Sequence, residues 1–377
     1  MRKYLLHILI ISFVFLLTPT VPVASYAGEI EDAKEEVRKN PDDALAHFGL
    51  GLAYAESGRY EEAIESYKQA IRIDPDYAEA HVNLGAAYSK SGMQKEAIES
   101  LKQAIRINPD FAIAHYNLGY TYNSLGMHKE AIESYKQVIR IDPDDEQAHF
   151  YLGLAYGESG KYEEAIESFK QAIRLDPDYT LAHSGLGAAY SKSGKYQEAI
   201  EPFKQAIRIK PDYADAHYFL GLAYFTLGMD KEAIEPFKQA IEIDPDDALA
   251  HNGLGATYGR SGKYEEAIES LKQAIRIDPD HVKAHNNLGI TYSELGKYEE
   301  AIESYKQAIR IDPDSADVHY NLACCYSLLG NANKALESLG KAIDLGYNDI
   351  KYMENDSDLD GLRDEADYKK LINKLKR

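Results

Sequence analysis

The sequence predicts an all-α fold, a solenoid of antiparallel helix pairs. Three observations predict it: a 34-residue period, apolar and small residues at helical spacing inside each period, and a glycine and a proline at fixed places in every one. Prolines recur without a slip at Pro41, Pro75, Pro109, Pro143, Pro177, Pro211, Pro245, Pro279 and Pro313. Between them the same frame returns, from Leu50-Gly51 with Tyr54 to Leu322-Ala323 with Tyr326.

The first 27 residues stand apart. Arg2 and Lys3 form a positive start, Leu5 to Leu17 an apolar core, and Ser25-Tyr26-Ala27 a small-residue cleavage site, which together read as a secretory signal peptide. About 20 apolar residues are needed to span a bilayer, and Pro19 and Pro22 interrupt an extension toward that length. The expected product is exported, periplasmic or extracellular, and membrane-anchored only if the leader is retained. Residues 28–43 align through Asn40-Pro41 with the second helix of a repeat but carry Glu, Asp and Lys at most apolar positions, so they predict a polar N-terminal capping helix.

Residues 44–349 hold nine repeats. In residues 78–111, His81, Leu84, Gly85 and Tyr88 fall at i, i+3, i+4 and i+7, one face of a first helix. Gly92 ends it, because glycine enters the left-handed cap conformation without penalty. A second helix starts near Gln94, carries Ala97, Leu101 and Ala104 on one face, and closes at Asn108-Pro109. Gly85 and Ala97 are small because the two helices must approach closely. Glu61 and Glu62 open the corresponding helix of the preceding repeat while Lys68 and Arg72 close it, matching the helix dipole at both ends. Neither helix buries its stripe alone, so successive pairs must stack. Pro202 and Pro236 replace a serine inside two second helices and predict a tolerated kink near the helix start. Residues 350–377 leave the period; Leu359, Leu362 and Tyr368 to Leu371 predict a helical C-terminal capping tail over the last repeat.

This pattern resembles the tetratricopeptide repeat, over residues 44 to about 349. The resemblance implies a right-handed superhelix whose concave face binds a protein or peptide segment. On that surface, family members that hold acidic chaperone tails use a Lys, Arg and Asn clamp, and those with an asparagine ladder hold extended backbones through amide contacts. Positions one, two and five residues after each repeat's histidine are expected to face the groove. They give Phe48, Leu52, Asn83, Tyr116, Asn117, Tyr120, Phe150, Leu154, Tyr218, Leu222, Asn252, Asn286, Asn287, Tyr320 and Asn321 as binding residues. Basic residues are absent from this set, and the asparagine ladder is broken in the middle repeats by Tyr151, Gly185, Phe219 and Gly253. The expected groove is therefore aromatic and aliphatic with polar ends, suited to apolar anchors on a bound segment.

Composition narrows the partners. Lys and Arg number 42 against 62 Asp and Glu, a formal charge of −20, which disfavours nucleic acid and anionic lipid surfaces. The only cysteines, Cys324 and Cys325, are adjacent and cannot easily bridge along one helix, so stability rests on packing. His47 and its eight periodic counterparts form a ladder, but adjacent repeats set equivalent atoms roughly 8–10 Å apart whereas zinc ligands each lie about 2 Å from the ion. His281 and His285 share one face without a third ligand. Asp356, Asp358, Asp360 and Asp367 nearly satisfy a calcium-loop pattern, yet Arg363 stands where an apolar residue normally anchors it, which favours a turn and helix cap. Neither a phosphate-cradling glycine loop nor a nucleophile triad appears. The expectation is a non-enzymatic scaffold, without cofactor or metal, that is a monomer or weak oligomer; the alternative is a structural repeat protein assembling into filaments or surface arrays.

Overall fold

The structure, a computed structural model, describes residues 23–375. The expected leader lies outside them except for the backbone of residues 23–27. Every regular element among the described residues is helical. In the first unit helix α1 (Val23–Lys39) is followed by four hairpins, α2 (Ala44–Glu56) with α3 (Tyr60–Ile73), α4 (Ala78–Lys90) with α5 (Gln94–Ile107), α6 (Ala112–Ser124) with α7 (His128–Ile141) and α8 (Glu146–Glu158) with α9 (Tyr162–Leu175), and by α10 (Thr180–Lys192); the second unit opens with α11 (Tyr196–Ile209). Then come α12 (Ala214–Thr226) with α13 (Asp230–Ile243), α14 (Ala248–Arg260) with α15 (Tyr264–Ile277), α16 (Val282–Glu294) with α17 (Tyr298–Ile311), and α18 (Ala316–Leu328) with α19 (Ala332–Asp344). A tail of α20 (Ile350–Asn355), a 3-10 turn (Ser357–Leu362) and α21 (Ala366–Leu375) closes the chain. The fold is a stack of helix pairs, each packed on the next within two compact units that divide between Ser193 and Gly194.

The sequence frame maps directly onto this packing. Gly92 has φ +76° and lets the Met93 N–H reach back to the Tyr88 carbonyl at 2.8 Å, which closes α4 and turns the chain into α5. Across seven hairpins, at Gly51, Gly85, Gly119, Gly153, Gly221, Gly255 and Gly289, the repeat glycine meets a large side chain: a Cβ on Gly85 would stand 2.7 Å from Leu101 Cγ, and one on Gly153 2.8 Å from the Phe169 ring. Tyr67, Leu101, Tyr135, Phe237 and Tyr305 fill these notches and are fully or almost fully buried.

Pro202 and Pro236 differ from their expected place. Each is the seventh residue of its helix, not part of the start, and each is buried. In other repeats a serine stands here and donates its hydroxyl to the carbonyl four residues earlier, as Ser134 does to Glu130 at 2.9 Å. Proline gives up both that bond and the backbone N–H, yet the helix runs on to its usual end.

A candidate peptide-binding surface

The histidine ladder is structural. Nε2 of all nine bonds the carbonyl oxygen of the proline six residues earlier, at 2.9 Å for His115, His183 and His217 and at up to 3.1 Å elsewhere. Each bond pins an inter-repeat loop to the helix that follows.

The expected groove residues fall into three groups. Asn83, Tyr116 and Asn117 line an open cleft of about 440 Å³ on α4 and α6, with Val82, Ala86, Ile113 and Gln147 beside them. Leu154 lines a smaller cleft of about 260 Å³ floored by Phe169 and rimmed by Glu158 and Lys192. Leu52 lines a third cleft, near the N-terminus. Tyr120 and Leu222 are half-buried.

The second group differs from expectation, because its rings pack within their own hairpin, on the following loop or under the tail instead of facing a groove. Phe150, Tyr218 and Tyr320 are buried, at 6%, 8% and 4% exposure. Phe150 packs on Phe169 and Tyr179, Tyr218 on Phe219 and Phe237, and Phe48 on Tyr67 and Tyr77. Between first helices, register sets the residue after one histidine against the residue two after the next, 35 positions on, as in Asn252 with Asn287 and Asn286 with Asn321. Tyr116 meets Tyr151 edge-on at 5.3 Å in this way.

The asparagines form the third group, and they divide by unit. Asn287 Nδ2 donates to Asn252 Oδ1 at 3.0 Å and Asn321 to Asn286 at 3.1 Å, so these amides satisfy one another. On α4, Asn83 donates to the Glu79 carbonyl of its own helix, while the Asn117 side chain has no hydrogen-bond partner among the described residues. Burial raises the Tyr116, Tyr135 and Tyr151 phenols, so the aromatic floor beneath is neutral.

The family model described as the cilia and flagella-associated protein 70 C-terminal domain matches residues 25–252 and again 145–358. The chain belongs to this tetratricopeptide-repeat family. Among solved structures, YrrB, described as a TPR protein with an unusual peptide-binding site, is 26% identical over 50% of this chain and 96% of its own, with a TM-score of 0.44. MamA is 30% identical over 44% and 97%, with a TM-score of 0.42. A tetratricopeptide repeat protein from Parabacteroides merdae ATCC 43184 is 20% identical over 69% and 99%, with a TM-score of 0.49. A search of curated proteins gave no significant match.

At the end of this tetratricopeptide array the tail takes the place of a tenth first helix. Tyr320 stacks on Tyr347 at 4.2 Å and donates its hydroxyl to Asp356 Oδ2 at 2.5 Å, while Met353, Leu359 and Leu362 are buried against α18 and α19. The carboxylates of the calcium-like pattern are engaged separately. Asp356 faces Tyr320 and caps Asp358, Asp360 pairs with Arg363, and Asp367 pairs with Lys370. Cys324, Asp356 and Asp358 do converge, but burial raises the Cys324 thiol and keeps it protonated, with Sγ 3.7 Å from Asp356 Oδ2. The group closes on itself as a hydrogen-bonded seal. No described helix is long and apolar enough to cross a membrane.

Sequence reasoning missed Ile113 and Leu45, which are 53% and 64% exposed. Both stand two residues before the ladder histidine, where Glu79, Asp215 and Asp317 are charged. Leu181 and Leu249 are apolar at the same position and partly buried, so residue type alone did not single out the two exposed ones.

Proposed function

We propose that this protein is a non-enzymatic interaction scaffold that binds an extended or helical protein segment in the cleft on α4 and α6. The observation that carries it is Ile113: an isoleucine left half in water, inside a cleft of about 440 Å³ whose walls offer Val82 and Ala86 for an apolar anchor and the Asn117 amide for a backbone. The family match supports a repeat scaffold and points to no reaction. Peptides selected from a random library on the full chain test the reading. Binding should be lost on Ile113→Asp with Asn117→Asp; peptides that bind this double variant as well as the wild type overturn it.

Export to the cell envelope rests on the leader sequence, and N-terminal sequencing of secreted material, expected to begin at Gly28, checks it. A monomer or weak oligomer is preferred to a filament because the tail seated on Tyr320 covers the last repeat. Sedimentation across concentrations distinguishes the two.

A further inference from the structure

At the N-terminal end of the array the described residues leave a slot unfilled that the rest of the molecule shows how to fill. One repeat period before Tyr67, Leu101, Tyr135 and Phe169 stands Ala33, on α1. In the later repeats that position carries a large side chain, which reaches beneath the next first helix. Where the residue above it is glycine, the large side chain is phenylalanine both times. A Cβ on Gly185 would stand 2.7 Å from the Phe169 ring, and one on Gly253 2.6 Å from the Phe237 ring. Gly49 is the same position over Ala33, and a Cβ there would meet nothing within 4 Å. The aromatic ring is missing, and what remains is a cleft of about 410 Å³ between α1 and α2.

Charge and exposure then specify the occupant. Leu45 stands 64% exposed at the edge of the cleft, beside half-buried Leu52. Glu29, Glu36, Asp43 and Glu56 stand exposed around the rim, and no basic residue lines it. Asp43 caps Leu45 N–H and Glu36 accepts from Asn40, so neither carboxylate is neutralised by a cation there. An apolar slot ringed by four carboxylates favours a side chain that is apolar at its tip and cationic at its flanks.

We infer that this cleft is a second docking site, which takes a basic segment of another protein presenting one aromatic side chain into the slot over Gly49. The ring takes the place that Phe169 holds under Gly185, and flanking Lys or Arg residues face the rim carboxylates. The site is distinct from the cleft on α4 and α6 and does not depend on it.

The probe is a capped synthetic peptide with a single Phe flanked by Lys at helical spacing, titrated by calorimetry into the full chain. Replacing its Phe with Ala should weaken binding about tenfold or more, replacing Lys with Glu should abolish it, and added salt should weaken it. Ala33→Phe fills the slot from within: its melting temperature should hold or rise while peptide binding falls at least about tenfold. The Ile113→Asp, Asn117→Asp variant should bind this peptide as the wild type does. Absence of Phe/Lys peptide binding, equal binding of the Glu peptide, or undiminished binding to Ala33→Phe overturns the inference. A lowered melting temperature for Ala33→Phe does the same, since it would mean that the slot is not open. Self-association of the wild type that Ala33→Phe abolishes would assign the slot to a second copy, and would also overturn it.

Discussion

His115 Nε2 and the Pro109 carbonyl oxygen lie 2.9 Å apart, and because a carbonyl only accepts, the imidazole must carry its proton on that nitrogen. The proline that opens the loop and the histidine that packs the helix thus form one device, repeated nine times. Replacing His115 with Phe keeps ring packing but removes the donor. We expect a loss of about 1 kcal/mol, read as a shift in the urea midpoint, with a similar loss at His183.

Gly49 and Gly185 occupy the same repeat position in the same unit and should respond oppositely to alanine. At Gly185 the new methyl meets the Phe169 ring at 2.7 Å, and overpacking should cost about 1–3 kcal/mol. At Gly49 no described atom lies within 4 Å of the new methyl, so mid-helix propensity dominates and stability should rise by about 0.5–1 kcal/mol. Thermal melts of the two single variants check both signs.

His281 supplies a pH dependence. Burial holds it below its ordinary value of 6.5, against an opposing pull from Asp278. The fold therefore favours neutral imidazole, and as pH falls through 6.5 the unfolded chain takes up the proton first. This contribution is complete above that pH and is lost progressively below it, until the folded form also protonates. Equivalent positions carry Tyr77, Tyr179 and Tyr213, so His281→Tyr should remove this component from the pH profile of the melting temperature, most visibly between about pH 7 and 5.

Cys324 and Cys325 are 6% and 1% exposed, and burial raises both thiols. A thiol-reactive dye should label neither in the native protein and both in denaturant. Tyr320→Ala removes the stacking on Tyr347 and the hydrogen bond to Asp356, and native labelling of Cys324 should accelerate at least about tenfold as the tail loosens. An unchanged labelling rate would show that the tail is held elsewhere.

The period, the hairpins and the tail were legible in the sequence because each is set by local chemistry. Gly92 must adopt a left-handed conformation, Ala97 must be small, and Leu84 and Tyr88 must share a face, whatever surrounds them. The candidate surface was legible only in part. Asn83, Tyr116 and Asn117 do line one cleft, but Phe150 and Tyr218 lie buried against Phe169 and Phe237 of their own second helices.

What the sequence alone determined is therefore the periodic frame: helix boundaries, the glycine and proline punctuation, and the residues that fill each hairpin. Only the tertiary structure decided which exposed faces remain open. Helical periodicity fixes the direction of a side chain relative to its own axis, whereas the partner it meets is set by register with a helix 35 residues away. That register pairs Asn287 with Asn252 and sets Tyr116 edge-on to Tyr151, while the tail covers Tyr320 and Gly49 stands over a slot that no described side chain fills.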